Sequence, residues 1–536
     1  MEADLTNLTN SFRQFESIIY DALENEQSSI VKGVKWHLGN METEEENKSI
    51  QSSGADPGAD RIPDKNYKNW STNIQFTPKY TYYPRNREDI INCVKIAKEE
   101  GLKIRCAAEG HTWSSLSMTH SFLLILDENL SDITIEKYDN GDWVVHAEAG
   151  AQISKIDKIL KKNEPPLTIE SMTVLDTVSI GGVVATGSHG AKTQSRTIAE
   201  QVVGLEIVDA NGDLRKFSDE INPEEMAAAR VNLGLLGIIY RVSLRVKPMY
   251  NLRMSDTYPK LATFSKEDLK KLVMESDGVE IFYWPFNASN KSTDSSQDSL
   301  MVKRWTESTD EPTLNKLELA LYRAAQKAAT FFANYYYKLL ILDPNSTPYY
   351  THLISSIKSP ERDMVWQAPD AIHYQAGIDN ILCQDMEFAI KVDDDFGNVI
   401  TELNYIIDQI YAYQKDKKFP INLTVELRIL KSSKALLSTA YDEDPEAYYF
   451  FPEVLSINDT KFYGEFCQNI AKRWIDKYKA RPHWAKSWED IPNIKDYLHG
   501  LLKERTERFE KVRKNYDPNG MFFDNDSIRY VFYGSP

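Results

Sequence analysis

The sequence predicts a chain of mixed helices and strands in more than one domain. Three observations carry this: a strand, helix, strand and glycine-turn opening; a second glycine-dense segment; and a change of character after residue 250. At 536 residues there is length for two or three domains, each with its own core. Apolar residues at 42% and charged residues at 27% argue against a disordered chain. The formal net charge of -17 repels phosphate backbones and comes with no basic run, so no nucleic-acid partner is expected. Cys93, Cys106, Cys383 and Cys467 are too scattered for a disulfide framework or a zinc site. They are expected as reduced, mostly buried thiols, with no metal.

Residues 1–64 form an acidic, polar extension that ends in a linker-like stretch at 52–60, and part of 12–23 has helical character. It carries no basic region followed by an apolar core, so neither a secretory signal nor a transit peptide is expected and the cytosol is the expected compartment. A strand at 80–83 stops at Pro84. Apolar Ile90, Ile91, Val94, Ile96 and Ala97 then predict a helix over 87–100, with Gly101 beyond its end. The next strand, 103–107, runs into Glu109-Gly110-His111-Thr112-Trp113-Ser114-Ser115. Strand, helix, strand and glycine turn form a nucleotide-binding opening, although the glycine fingerprint of a Rossmann dinucleotide site is absent. An imidazole after glycine and before hydroxyls suits a loop that wraps a diphosphate and sets the ring against a flavin; a turn with a solvated histidine is the alternative.

Strands at 123–126 and 143–147 and a helix at 151–160 follow. Then comes Ser179, Gly181, Gly182, Thr186, Gly187, Ser188, His189 and Gly190. Glycines and hydroxyls at this density permit close backbone approach and supply N–H donors for a pyrophosphate or a flavin ring. A glycine-rich helix packed on a sheet would explain them equally. Strands at 202–209 and 238–246 close this region, the second opening on Gly237, Ile238 and Ile239. We divide the chain into the extension 1–64, a first domain 65–250, a second domain 251–478 and a C-terminal segment 479–536 that returns to the first. Residues 314–342 approach membrane character, but Arg323, Gln326, Lys327 and Asn334 interrupt them below the roughly 20 apolar residues of a bilayer span. An amphipathic helix packed on a domain is expected, with membrane-surface contact as the alternative.

Taken in order, Gly110-His111-Thr112, the 179–190 segment, Glu426-Leu427-Arg428, Arg481-Pro482-His483-Trp484-Ala485-Lys486 and Asp517-Pro518-Asn519-Gly520-Met521-Phe522 resemble the aldonolactone oxidase group of the vanillyl-alcohol-oxidase flavoproteins. The likeness covers about 66–250 and 365 to the last residue, and its most specific element is the His-Trp-Ala-Lys stretch. It implies an α+β fold with a two-lobed FAD-binding domain and a second α+β substrate-binding domain over the flavin. It also implies that His111 is bonded covalently to FAD, which raises the flavin's reduction potential and eases hydride acceptance. His483 and His189 would lie near the flavin.

Glu426 and Arg428 flank one residue in a strand read over 422–430, so both side chains share a face. There a carboxylate can orient a substrate hydroxyl while the cation stabilises the developing alkoxide; a surface ion pair is the alternative. Lys486 follows His483 by three residues, close enough to face one pocket, unless the stretch is simply a basic loop covering the core. Three features depart from the family pattern. Tyr449 stands where polyol-oxidising relatives carry a substrate-binding histidine, and with Phe451 it predicts an aromatic substrate wall suited to a flatter, more apolar substrate. Thr112-Trp113-Ser114 is closer to the flavin-linked sterol oxidases, and the acidic extension has no family counterpart. The resemblance thus implies an FAD-dependent oxidase taking a hydride from a CH–OH group of a lactone, polyol or other secondary alcohol, with oxygen as acceptor and hydrogen peroxide as product. A sterol-type or secondary-metabolite oxidase or cyclase, and a cytochrome-linked dehydrogenase, are the alternatives.

Overall fold

A computed structural model describes residues 60–356 and 363–535. The helical stretch expected within 12–23, and nearly all of the acidic extension, lie outside the described residues. The first sheet orders β1 (Ile62–Pro63), β2 (Tyr80–Tyr82), β4 (Phe122–Ile125) and β3 (Ile104–Ala107), with β2 and β3 parallel to β4. Its crossover is α1 (Arg87–Glu100), which has the bounds the apolar spacing predicts. Asn86 caps its start by accepting from the Asp89 N–H, and Gly101 ends it at φ 67°, a conformation costly to residues with a Cβ.

The second sheet is antiparallel and joins β5 (Ile133–Lys137), β6 (Trp143–Glu148), β7 (Leu167–Thr168), β8 (Val202–Val208), β9 (Leu214–Phe217) and β10 (Ile238–Pro248). Between its strands run α2 (Ile153–Lys162) and α3 (Ile180–Thr186), the latter formed by the glycine-dense segment. Of the two explanations of that segment, the helix packed on a sheet is what the fold shows: it is a short helix, and its glycines bring it against the sheet. A Cβ on Gly181 would lie 2.8 Å from both Cβ and O of Ala149.

The third sheet has eight strands, in the order β14 (Asp363–Gln367), β11 (Asn251–Thr257), β13 (Met301–Ser308), β12 (Gly278–Tyr283), β16 (Val425–Lys431), β17 (Tyr448–Ile457), β15 (Cys383–Lys391) and β18 (Arg481–Pro482). Its central strands bury nearly every residue on both faces, which is why they read as apolar runs rather than as alternation. Residues 314–342 supply α4 (Lys316–Leu342), on which Phe331 and Leu342 are exposed. Among the described residues no helix is long and apolar enough to cross a membrane.

The chain then returns to the first sheet. Ile104 N–H donates to Met521 O and Ala210 N–H to Tyr516 O, each at 3.0 Å. Arg105, fully buried, ties three segments together by donating to Leu116 O, Leu233 O and Phe522 O. The four cysteines are free thiols; Cys93, Cys383 and Cys467 are buried and Cys106 half-buried.

Candidate active site

One cavity of about 610 Å³ lies between the first two sheets and the eight-stranded sheet. On the first side its wall is largely backbone and small side chains: Glu109, Gly110, His111, Thr112, Trp113, Ser179, Gly181, Gly182, Thr186, Ser188, Gly237 and Ile239. Gly110 adopts φ +72°, and a Cβ there would meet Tyr67 Oη at 2.8 Å, so this turn belongs to glycine on two counts. The residues around His483 hold the loop from behind. Trp113 N–H donates to Ala485 O (2.7 Å), Ser114 Oγ to Trp484 O (2.6 Å) and Ser115 Oγ to Glu489 (2.6 Å).

His111 stacks on Trp70, with ring centroids 4.4 Å apart. Burial first, and the Lys486 charge second, hold its pKa down to about 4, so the ring is neutral at ordinary pH. Its Nδ1 is buried without a hydrogen-bond partner. A long cavity, a glycine wall open to close approach and a neutral imidazole with an unused buried nitrogen fit FAD, with Gly110–Thr112 and Ser179–Gly182 as the residues that would hold it.

Across the cavity, strand register assembles a charged row. Phe282 pairs with Glu426, Glu426 with Glu453, and Glu453 with Glu387 on four adjacent strands. Like charges placed directly opposite repel, and two cations offset this. Arg428 binds Glu280 (2.6 Å), Glu426 (2.8 Å) and Glu453 (2.9 Å) through its three nitrogens. Lys486 binds Glu453 (2.6 Å) and Asp385. Glu280, Asp385, Glu387, Glu426 and Glu453 are all buried, and five acids facing two fixed cations cannot all ionise.

The acids divide. Burial and the Glu453 charge push the Glu426 and Asp385 carboxyls well above the usual range. Burial also pushes Glu453 up, but Lys486 and Arg428 pull harder and hold it far below. Burial pushes Lys486 down, but Asp385, Glu453 and Glu387 beside it hold it above its ordinary value.

Beyond the row, His189 Nδ1 donates to Gly190 O, while its Nε2 faces Glu387 Oε1 at 3.4 Å with neither atom hydrogen-bonded. His483 lies 5.7 Å away, ring to ring, and burial lowers its pKa to about 3. His189, Glu387 and His483 could bring ligand atoms within 4.8 Å of one another. However, His483 Nδ1 accepts the Ala485 N–H, which leaves the ring proton on Nε2 and makes that nitrogen a donor rather than a ligand.

The cavity thus brings together Glu426, Arg428, Lys486, His111, His189 and His483. Ser114, Ser115, Gly187, Gly190 and Ile238 stand behind its wall; Gly187 caps α3, and a Cβ on Gly190 would meet Met172 O at 2.1 Å. The aromatic wall expected from Tyr449 and Phe451 needs correction. Phe451 packs beneath the His189 ring at 4.0 Å. Tyr449 lies further along β17, its hydroxyl donating to Asp442 (2.8 Å) and its ring beside Arg481. Sequence reasoning passed over Glu280, Asp385, Glu387 and Glu453. Their signal was present as acids set beside apolar residues, in Gly-Val-Glu-Ile-Phe, Asp-Met-Glu-Phe and Phe-Pro-Glu-Val.

The FAD binding domain model matches residues 78–218, and the D-arabinono-1,4-lactone oxidase model matches residues 242–530. Three relatives are each 23% identical. They are L-gulonolactone oxidase of Scyliorhinus torazame (86% of this chain, 96% of the relative), D-arabinono-1,4-lactone oxidase of Candida glabrata (86% and 95%) and L-gulono-1,4-lactone dehydrogenase of Mycobacterium tuberculosis (87% and 98%). Cholesterol oxidase from B. sterolicum shares the fold at a TM-score of 0.72 and 18% identity, over 90% of this chain and 99% of that one. The chain belongs to the D-arabinono-1,4-lactone oxidase family, and is an FAD-dependent oxidoreductase acting on CH–OH donors.

Proposed function

We propose that the protein oxidises the CH–OH group of a lactone, sugar or other secondary alcohol to the carbonyl and passes the electrons to oxygen, giving hydrogen peroxide. FAD supplies the two-electron acceptor for the hydride that leaves the substrate carbon. The observation that carries this reading is the joining of Arg428 and Lys486 through the single carboxylate of Glu453 on one wall of the cavity, with the glycine wall opposite.

Each residue then has a task. Glu426, anchored to Arg428, orients the substrate hydroxyl. Arg428 and Lys486 stabilise negative charge as the O–H proton departs, in a buried setting where such charges act strongly. His189 Nε2, which carries no proton while Nδ1 donates to Gly190 O, receives that proton beside the Glu387 carboxylate, which lies 3.4 Å from it and 3.6 Å from Arg428. His111, neutral and with Nδ1 unpartnered, would hold FAD through a covalent bond.

Glu426→Gln is expected to slow anaerobic bleaching of the flavin by substrate about 100-fold, within the range of removing one positioned polar group, while its absorption spectrum is kept. Equal rates would remove Glu426 from the mechanism. After acid precipitation the yellow colour should stay with the native chain and leave the His111→Ala chain; colour released from the native chain would disprove the bond. Peroxide formed in step with product would support oxygen as acceptor.

A further inference from the structure

The charged row stops abruptly. One step along the strands from Phe282, Glu426, Glu453 and Glu387, the same face of the sheet carries Thr424, Leu455 and Asp385, and Trp284 extends the edge. Trp284 stacks on Phe282 with ring centroids 5.6 Å apart. Past Asp385 the cavity wall continues as Ile381, Leu423 and Leu455, with Ala329, Thr330 and Tyr337 of α4 completing it.

Asp385 Oδ1 is buried without a hydrogen-bond partner where this half meets the charged row, and the other polar side chains here are largely committed to the protein itself. Gln326 donates to Tyr374 O (2.9 Å) and accepts from Ala376 N–H (3.2 Å). Thr330 Oγ donates to Lys327 O and accepts from Asn380, and Thr424 Oγ donates to Tyr283 O. Gln375 and Asp379 are half-buried, where water can reach them. What this half of the cavity offers a ligand is therefore mostly carbon and aromatic face, whereas the groups able to bind a hydroxyl are gathered in the charged row.

We propose that this half of the cavity takes the body of an apolar cyclic secondary alcohol whose single hydroxyl reaches the charged row, in preference to a polyhydroxylated lactone. The proposal rests on the CH–OH oxidation inferred above and names its substrate class. Each additional hydroxyl of a lactone would be stripped of water against Trp284, Leu423 or Leu455 without a replacement partner. Such a loss lowers kcat/KM roughly ten-fold or more per group.

The test uses the full flavin-loaded chain. Anaerobic bleaching is measured with substituted cyclohexanols and decalinols beside D-arabinono- and L-gulono-lactone, and the expected kcat/KM is at least about 100-fold higher for the apolar set, as two or more unpaired hydroxyls require. Leu455→Asn should narrow that ratio about ten-fold with the flavin spectrum intact. Independently of turnover, the ketone of the best apolar alcohol should raise the thermal midpoint of the native protein more than a lactone does. Lactones bleaching as fast as the apolar set, or a lactone giving the larger thermal shift, overturns the proposal and leaves the oxidation standing. If neither class bleaches the flavin, the functional reading falls and takes the proposal with it.

Discussion

On one side of the cavity the wall is backbone: Gly110 in a left-handed turn, Gly181 pressed on Ala149, and a loop held from behind by Trp484 and Ala485. On the other side it is charge, with Arg428 and Lys486 shared among five buried acids drawn from four strands. The first wall makes room by omitting atoms, and the second makes chemistry by confining ions. Substitutions should therefore fail differently: on the glycine wall by collision, and on the charged wall by leaving a buried charge unpaired.

The largest effect is expected on the charged wall. Arg428→Met strands Glu280, Glu426 and Glu453 without their shared cation and should cost about 3–5 kcal/mol, read as a lower urea midpoint. A loss under about 1 kcal/mol would mean that the acids simply protonate and that the cluster contributes little rigidity.

Gly181→Ala should cost about 1–3 kcal/mol, because its new methyl group meets Ala149 at 2.8 Å, backbone included. It should also weaken flavin retention on gel filtration, a readout that Arg428→Met should move less. If both variants shed flavin equally, the contrast between the walls is lost.

Smaller, and pH-dependent, is Asp385→Asn. A carboxyl whose native pKa is raised contributes stability below its unfolded value, and loses it as pH rises toward the native value. The midpoint of the variant should accordingly gain on the wild type as pH rises from about 4. Parallel curves would show that Asp385 ionises at an ordinary pH. Smallest of all, Tyr449→Phe removes the hydroxyl that donates to Asp442 and Tyr441 O, about 1 kcal/mol. It should leave substrate preference untouched, and a changed preference would return Tyr449 to the cavity wall.

The glycine wall was legible in the sequence because its parts are contiguous. Gly110-His111-Thr112 and the 179–190 segment each carry their message within a dozen residues. The face shared by Glu426 and Arg428 followed from the two-residue period of a strand, and their 2.8 Å ion pair agrees with it. Reading Tyr449 by counting along the chain failed because a strand's period tells which face a side chain takes, not how far along the sheet the site extends. The position of Phe451 beneath His189 depends on a neighbouring segment more than 250 residues earlier in the chain.

By itself, then, the sequence determined the opening helices and strands, the glycine cradle, the imidazole at His111 and the Glu-x-Arg strand, all set by local periodicity and by the backbone freedom of glycine, while its resemblance to a family implied the α+β class. Only the tertiary structure decided that Glu280, Asp385, Glu387 and Glu453 join that strand, and that Trp284, Leu423 and Leu455 border them. Strand order and register are fixed by pairing between residues 17 to nearly 150 positions apart, and electrostatic coupling depends on distance in space rather than on distance along the chain.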